Sequence, residues 1–160
     1  MLESMRRGVG AGQYQIRPFT PGDLDQIALR PDFALEWGVV GPAKAAALAA
    51  ASWAFTLERG PNLGERQVLA SAGVRLHRLG CWGAWCLASD LDVRGWAMVR
   101  RMSLALFTFL ESEMGASHIE FWVRLDNAHG QEWARSMGFV ETGLASSEVG
   151  PMRVMVRERD

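Results

Sequence analysis

Cysteine is scarce in this chain, with two in 160 residues, Cys81 and Cys86. They stand five apart in a strand-like stretch, and an odd separation sends strand side chains to opposite faces. That excludes a disulfide between them and predicts two buried free thiols. No Cys/His spacing of a zinc module accompanies them, so no metal is expected. Lysine is scarcer: Lys44 is the only one among 17 basic residues, and the formal net charge is −1. No basic run is longer than the pairs Arg6-Arg7 and Arg100-Arg101. The electrostatic footprint of a nucleic-acid binder is therefore missing. Long apolar runs are also lacking. Nothing approaches the ~18 residues of a membrane helix, and Met1 to Gln13 has no apolar core like that of a secretory signal. The expectation is a protein neither secreted nor transmembrane, with no membrane partner. Tyrosine occurs once, as Tyr14.

What the chain does have is the composition of a globular domain, 49% hydrophobic and 22% charged. A mass of 17.7 kDa allows about 69% of the extended chain's surface to be buried. Residues 1–13 read as a loose tail and 14–160 as one domain. Tyr14 to Phe19 alternates like a short strand. Thr20, followed by Pro21 at the first helical position, predicts a helix from Pro21 to about Leu29. Pro31-Asp32 restarts a helix through Trp37, and Gly41-Pro42 opens a third to Ala51. Strands follow over Trp53–Glu58, Arg66–Arg78 and Trp82–Ser89, with turns at Gly60-Pro61-Asn62 and Leu79-Gly80. Gly73 inside the middle strand suggests a bulge. Asp90 or Asp92 caps a long helix that reaches Met114 and ends at Gly115. A strand over His118–Val123, a helix from Asn127 to Met137, and strands over Phe139–Thr142 and Met152–Arg157 complete the order. Hairpins followed by alternating strand and helix predict an α/β fold. Its sheet is mixed but mostly antiparallel, with six or seven strands flanked by helices.

The segment Asp126-Asn127-Ala-His-Gly-Gln-Glu-Trp133-Ala134-Arg-Ser-Met-Gly138-Phe139 resembles the late β-α-β unit of the GCN5-related N-acetyltransferase (GNAT) fold. There, an Asn opens a helix and a Gly-Phe pair starts the next strand. Ile16-Arg17-Pro18 resembles the first strand of that family, so the likeness covers nearly the whole chain. It implies an acetyl-CoA site, with the pyrophosphate held by a Gly-rich turn entering the long helix. The counterpart here is Arg94-Gly95-Trp96-Ala97-Met98-Val99. Cofactor contacts in this reading fall to Arg94, Gly95, Ala97 and Asn127. Val99 stands where the family has a small residue, and Trp96 adds bulk beside it, so the turn is expected to be crowded.

The family's acid, often a Tyr seven residues after the Asn, falls on Ala134. The strand before the turn carries no carboxylate, so a seat often used for the base is empty as well. Remaining acid–base candidates are Asp90, which with Asp92 reads first as a cap, and a His129–Glu141 pair. His77 and His118 sit at strand ends without a partner in recognisable spacing. Trp82 and Trp85 have opposite parity and cannot face one ligand together.

A closer resemblance is to GNAT-like proteins of tailed phages, including internal virion proteins of short-tailed phages. It is carried by the Cys-x-Trp-type strand running into Ser89-Asp90, by Phe121-Trp122-Val123 before Asn127 and His129, and by Gly138. It implies a non-catalytic structural or assembly component with no cofactor. Such a protein would be located in the virion, or in the host cytoplasm during assembly. Its seven Trp would pack against other virion proteins or a second copy. The alternatives are an acetyl-CoA-dependent N-acetyltransferase and a small ligand-binding module.

Overall fold

A computed structural model describes residues 14–38, 41–60 and 66–158. The expected tail, Met1 to Gln13, and Pro61-Asn62 of the expected turn lie outside them. One seven-stranded sheet forms the centre, in the order β1-β2-β3-β4-β5-β7-β6. The strands are β1 (Tyr14–Pro18), β2 (Ser52–Arg59), β3 (Gln67–Arg78), β4 (Cys81–Ala88), β5 (His118–Arg124), β6 (Val140–Ser147) and β7 (Gly150–Glu158). Every neighbouring pair is antiparallel except β4 with β5. Four α-helices flank it: α1 (Pro31–Trp37), α2 (Pro42–Ala51), α3 (Val93–Glu113) and α4 (Ala128–Ser136).

Local chemistry explains the boundaries of α3. The Asp92 side chain accepts the Gly95 N–H at 2.8 Å, which makes Asp92 rather than Asp90 the N-cap. At the other end Gly115 has φ +65°, the left-handed turn that stops a helix. The helix buries Val99, Met102, Leu106, Phe107 and Leu110 against the sheet. Trp82 joins that cluster, whereas Trp85 packs with Leu48 of α2 on the opposite face. Cys81 and Cys86 are buried and free.

Two local expectations are corrected. The helix expected from Pro21 to about Leu29 is only a 3-10 turn, Pro21–Asp23. The Asp23 carboxylate turns back to the Thr20 N–H (2.8 Å) and receives the Arg17 guanidinium (2.6 Å) and the Thr56 hydroxyl (2.7 Å). That buried network holds the chain in a turn before Leu24 and Ile27 enter the core. Gly73 is no bulge, since it pairs in register with Ala54 and Trp85, and the nearby irregularities lie at Leu57/Glu58 and Leu76/Arg78. It marks a close approach instead: a Cβ there would stand 2.5 Å from the Ala54 Cβ and 2.6 Å from the Trp53 carbonyl oxygen.

Candidate active site

The parallel pair β4–β5 is the weakest seam of the sheet by construction. Its register runs only from Cys81↔His118 to Ala84↔Phe121. Beyond that the strands part, and the edge of β4 from Cys86 onward has no strand beside it. The segment entering α1 comes in here. The Arg30 N–H donates to the Ala88 carbonyl at 3.1 Å. Six residues later Glu36 reaches the other lip, where its Oε1 accepts the Arg124 N–H (3.1 Å) and the Asn127 Nδ2 (2.7 Å).

Glu36 borders a cavity of about 490 Å³ between α1, α2 and the sheet. The wall includes Trp37, Lys44, Trp85, Glu120, Phe121 and Trp122. That size suits a small organic ligand, and a cleft of this kind with convergent polar groups is where binding is expected. Burial pushes the Glu36 carboxyl above the ordinary range, against the pull of the Asn127 and Arg124 hydrogen bonds. Burial, with the charge of Glu36 adding to it, pushes the Cys86 thiol up to about 12, so Cys86 is protonated at neutral pH and no nucleophile. Glu36 was not among the residues singled out in the sequence. Nothing near it in the chain marks it, because its partners lie 88 and 91 residues away.

The expected site residues fall out as follows. Asn127 caps α4, its Oδ1 accepting the Gly130 N–H at 2.8 Å while its Nδ2 serves Glu36. Arg94 and Ala97 are exposed on the first turns of α3, and Gly95 is buried against Leu91. The Gly95 N–H is committed to Asp92. The Asp92 carboxyl is held below its ordinary range by the Tyr14 hydroxyl first and that N–H next. Val99 does not crowd the turn: it is fully buried against the sheet, and the bulk at the helix start comes from Trp96. Ala134 is buried, at the seat where the family often has its tyrosine. Asp90 is exposed. His129 and Glu141 do not form the expected pair among the described contacts, since His129 meets the Trp96 ring at 5.9 Å and Glu141 is ion-paired with Arg153. His118 is not partnerless as expected, because it faces Glu120 and Ser117.

The start of α3 and the helix α4 meet through aromatic side chains. The Trp96 ring lies 5.7 Å from Trp133, 6.4 Å from Phe33, and beneath the Arg30 guanidinium. Beside it, the Trp133 Nε1 is buried with no partner among the described residues. An orphaned buried donor costs about 1–3 kcal/mol, which a ligand carbonyl would remove. An extended arm with amide carbonyls that reached this place would meet that unpaired donor. Arg94, exposed on the first turn of α3, is the cation that a diphosphate would meet at this helix start. Trp96 is the side chain that must turn aside.

No family model matches the chain, and no curated protein matches it in sequence. Solved structures do match in shape. Ribosomal-protein-S5-alanine acetyltransferase from Vibrio fischeri has a TM-score of 0.62 at 13% identity, with 95% of this chain and 96% of that one covered. Aminoglycoside acetyltransferase AAC(6')-Ib in complex with coenzyme A has a TM-score of 0.65 at 16% identity, with 91% and 95% covered. Spermidine N-acetyltransferase SpeG from Vibrio cholerae has a TM-score of 0.60 at 15% identity, with 91% and 94% covered. At such identities the likeness speaks to architecture alone, and with the strand order and the parted β4–β5 pair it shows that this chain has the GNAT fold.

Proposed function

We propose that the protein is an acetyl-CoA-dependent N-acetyltransferase that seats a primary amine in the 490 Å³ cavity, with Glu36 as its general base. The observation that carries this reading is the position of Glu36. It borders the cavity at the β5 lip of the parted strands, with one carboxylate oxygen held by two donors. Its Oε2 accepts nothing among the described residues and is available to take a proton. A carboxyl raised by burial lies closer to neutrality and is a better-matched base.

When bound, the cofactor supplies an activated acyl thioester. The chain's own residues do the rest. Arg94 would hold the diphosphate and Trp133 the arm, while Asn127 and the Arg124 N–H fix the Glu36 carboxylate. Trp85 and Trp122 wall the cavity, and Glu36 takes the proton of the attacking amine. The structural neighbours reported above are named as alanine, aminoglycoside and spermidine acetyltransferases, and one of them is in complex with coenzyme A, which supports this reading.

A virion role draws no such support, and the tryptophans that suggested it are largely spent inside the molecule. Only Trp53 and Trp122 are exposed, and Trp53 packs on Trp82 and Phe109. The experiment is thiol release from acetyl-CoA in the presence of a primary-amine panel: an alanine-terminated peptide, an aminoglycoside and a polyamine. Turnover with at least one acceptor, lost in Glu36→Gln, is the expected result. Turnover unchanged in Glu36→Gln removes Glu36 from the mechanism.

A further inference from the structure

A second group of side chains, of which only Glu120 lines the cavity, is not used in the acyl transfer proposed above. At the closed end of the β4–β5 pair, Cys81 and His118 are register partners. Glu120, two residues on, shares the face of His118. The Cys81 sulfur, a His118 ring nitrogen and a Glu120 oxygen all lie within 4.8 Å of one another. We propose that Cys81, His118 and Glu120 bind a divalent transition-metal ion of the zinc class.

The hydrogen bonds around His118 support this independently. The Ser117 hydroxyl has one hydrogen, and it donates to the Gly80 carbonyl at 2.8 Å. The Ser117 oxygen also lies 3.2 Å from the His118 Nδ1, so the ring nitrogen must be the donor there. That hydrogen bond fixes the orientation of the ring. Nε2 faces the Glu120 Oε1 at 3.7 Å. An ion held among these three groups would meet a ring nitrogen, a carboxylate oxygen and the buried Cys81 sulfur, a donor set that selects a metal with affinity for thiolate over calcium or magnesium. An imidazole whose second nitrogen is held by a neighbouring hydrogen bond is the usual second shell of such a ligand.

The Arg78 guanidinium approaches Glu120 at 3.8 Å, but its side chain is 67% exposed and free to leave. Metal bonds of about 2.0–2.3 Å draw the three ligand atoms inward by up to about an ångström and leave a fourth position open. The consequence is structural: the metal pins the first residue pair of a seam that is only four pairs long.

The test is a titration of the full reduced chain with Co2+, followed by displacement with Zn2+. The expected result is one equivalent bound, with a thiolate-to-cobalt charge-transfer band that Zn2+ abolishes. Cys81→Ser removes the band and His118→Gln weakens binding, whereas Cys86→Ala keeps both. Ser117→Ala lowers the affinity about 10-fold to 100-fold with the ligands intact. Circular dichroism of each variant shows whether it is folded. Should Cys81→Ser fail to fold, the wild-type band and the His118→Gln titration decide alone. Absence of the band in the wild-type chain overturns the proposal. So does a band that persists in a folded Cys81→Ser, or NMR showing His118 doubly protonated and unmoved by Zn2+.

Discussion

Two carboxylates are pulled in opposite directions by their surroundings. Burial raises the Glu36 carboxyl, so the folded state binds its proton more tightly than the unfolded chain does. The penalty for ionising it is absent below the ordinary carboxylate value of about 4.3 and grows as pH rises through the folded value. Glu36→Gln, which keeps the Oε1 acceptor, is therefore expected to stabilise the protein at pH 8 and to change it little at pH 4. Denaturant melts at the two pH values measure this, and an equal effect at both contradicts the burial of the charge. The same variant lowers kcat by about 10²–10⁴ if Glu36 is the base. Asp23 has the opposite sign. Burial alone would raise its carboxyl, but the bonds from Arg17, Thr20 and Thr56 outweigh it and hold the group low. Its contribution is present above the ordinary value of about 3.9 and is lost as pH falls through the lower folded value. Asp23→Ala is expected to cost about 3 kcal/mol at pH 7, because it strips Arg17 and Thr56 of a shared buried acceptor. Melts at pH 7 and pH 2 that show the same cost would contradict this. Neither carboxylate could be assigned its role from the sequence, for a common reason. Asp23 meets Thr56 across 33 residues and Glu36 meets Asn127 across 91, whereas sequence patterns report neighbours a few residues apart.

At the scale of elements, what was legible is what local chemistry determines. The cap Asp92, the stop at Gly115, the Pro-led starts of α1 and α2 and the Asn127 cap of α4 all lie in their own turns. The helix expected after Pro21 failed because a buried polar network competed with helix propensity and won. Gly73 was recognised as unusual and misread, since a close backbone approach and a bulge leave the same mark in a strand. Gly73→Ala is expected to destabilise by about 1–3 kcal/mol, because the nearest atoms to the new Cβ include the Trp53 carbonyl and the Ala54 Cα, which are backbone. Thermal melting measures it, and an unchanged midpoint would show that β2 and β3 can move apart freely. Val99 and Trp96, read together from the sequence as crowding the start of α3, face different neighbours. Val99 packs inward on the sheet while Trp96 packs on His129 and Trp133 of α4, a distinction that depends on helix phase relative to a sheet not yet in view.

For the whole molecule, the alternation of strand and helix sufficed for the fold class. The seven-stranded order with its single parallel pair follows from the crossover through α3, which a hairpin could not make. The same crossover creates the one seam where the sheet opens, with the cavity and Glu36 at one lip and Arg94 and Trp96 along the approach. Calorimetric titration of the full chain with acetyl-CoA tests whether that opening holds a coenzyme. One-to-one saturable binding is predicted, weakened about tenfold or more by Arg94→Ala through loss of its charge-assisted bonds, and tightened in Trp96→Ala because no indole then has to be displaced from Trp133. No measurable binding at millimolar acetyl-CoA in either the wild-type chain or Trp96→Ala would contradict a coenzyme site in the parted strands.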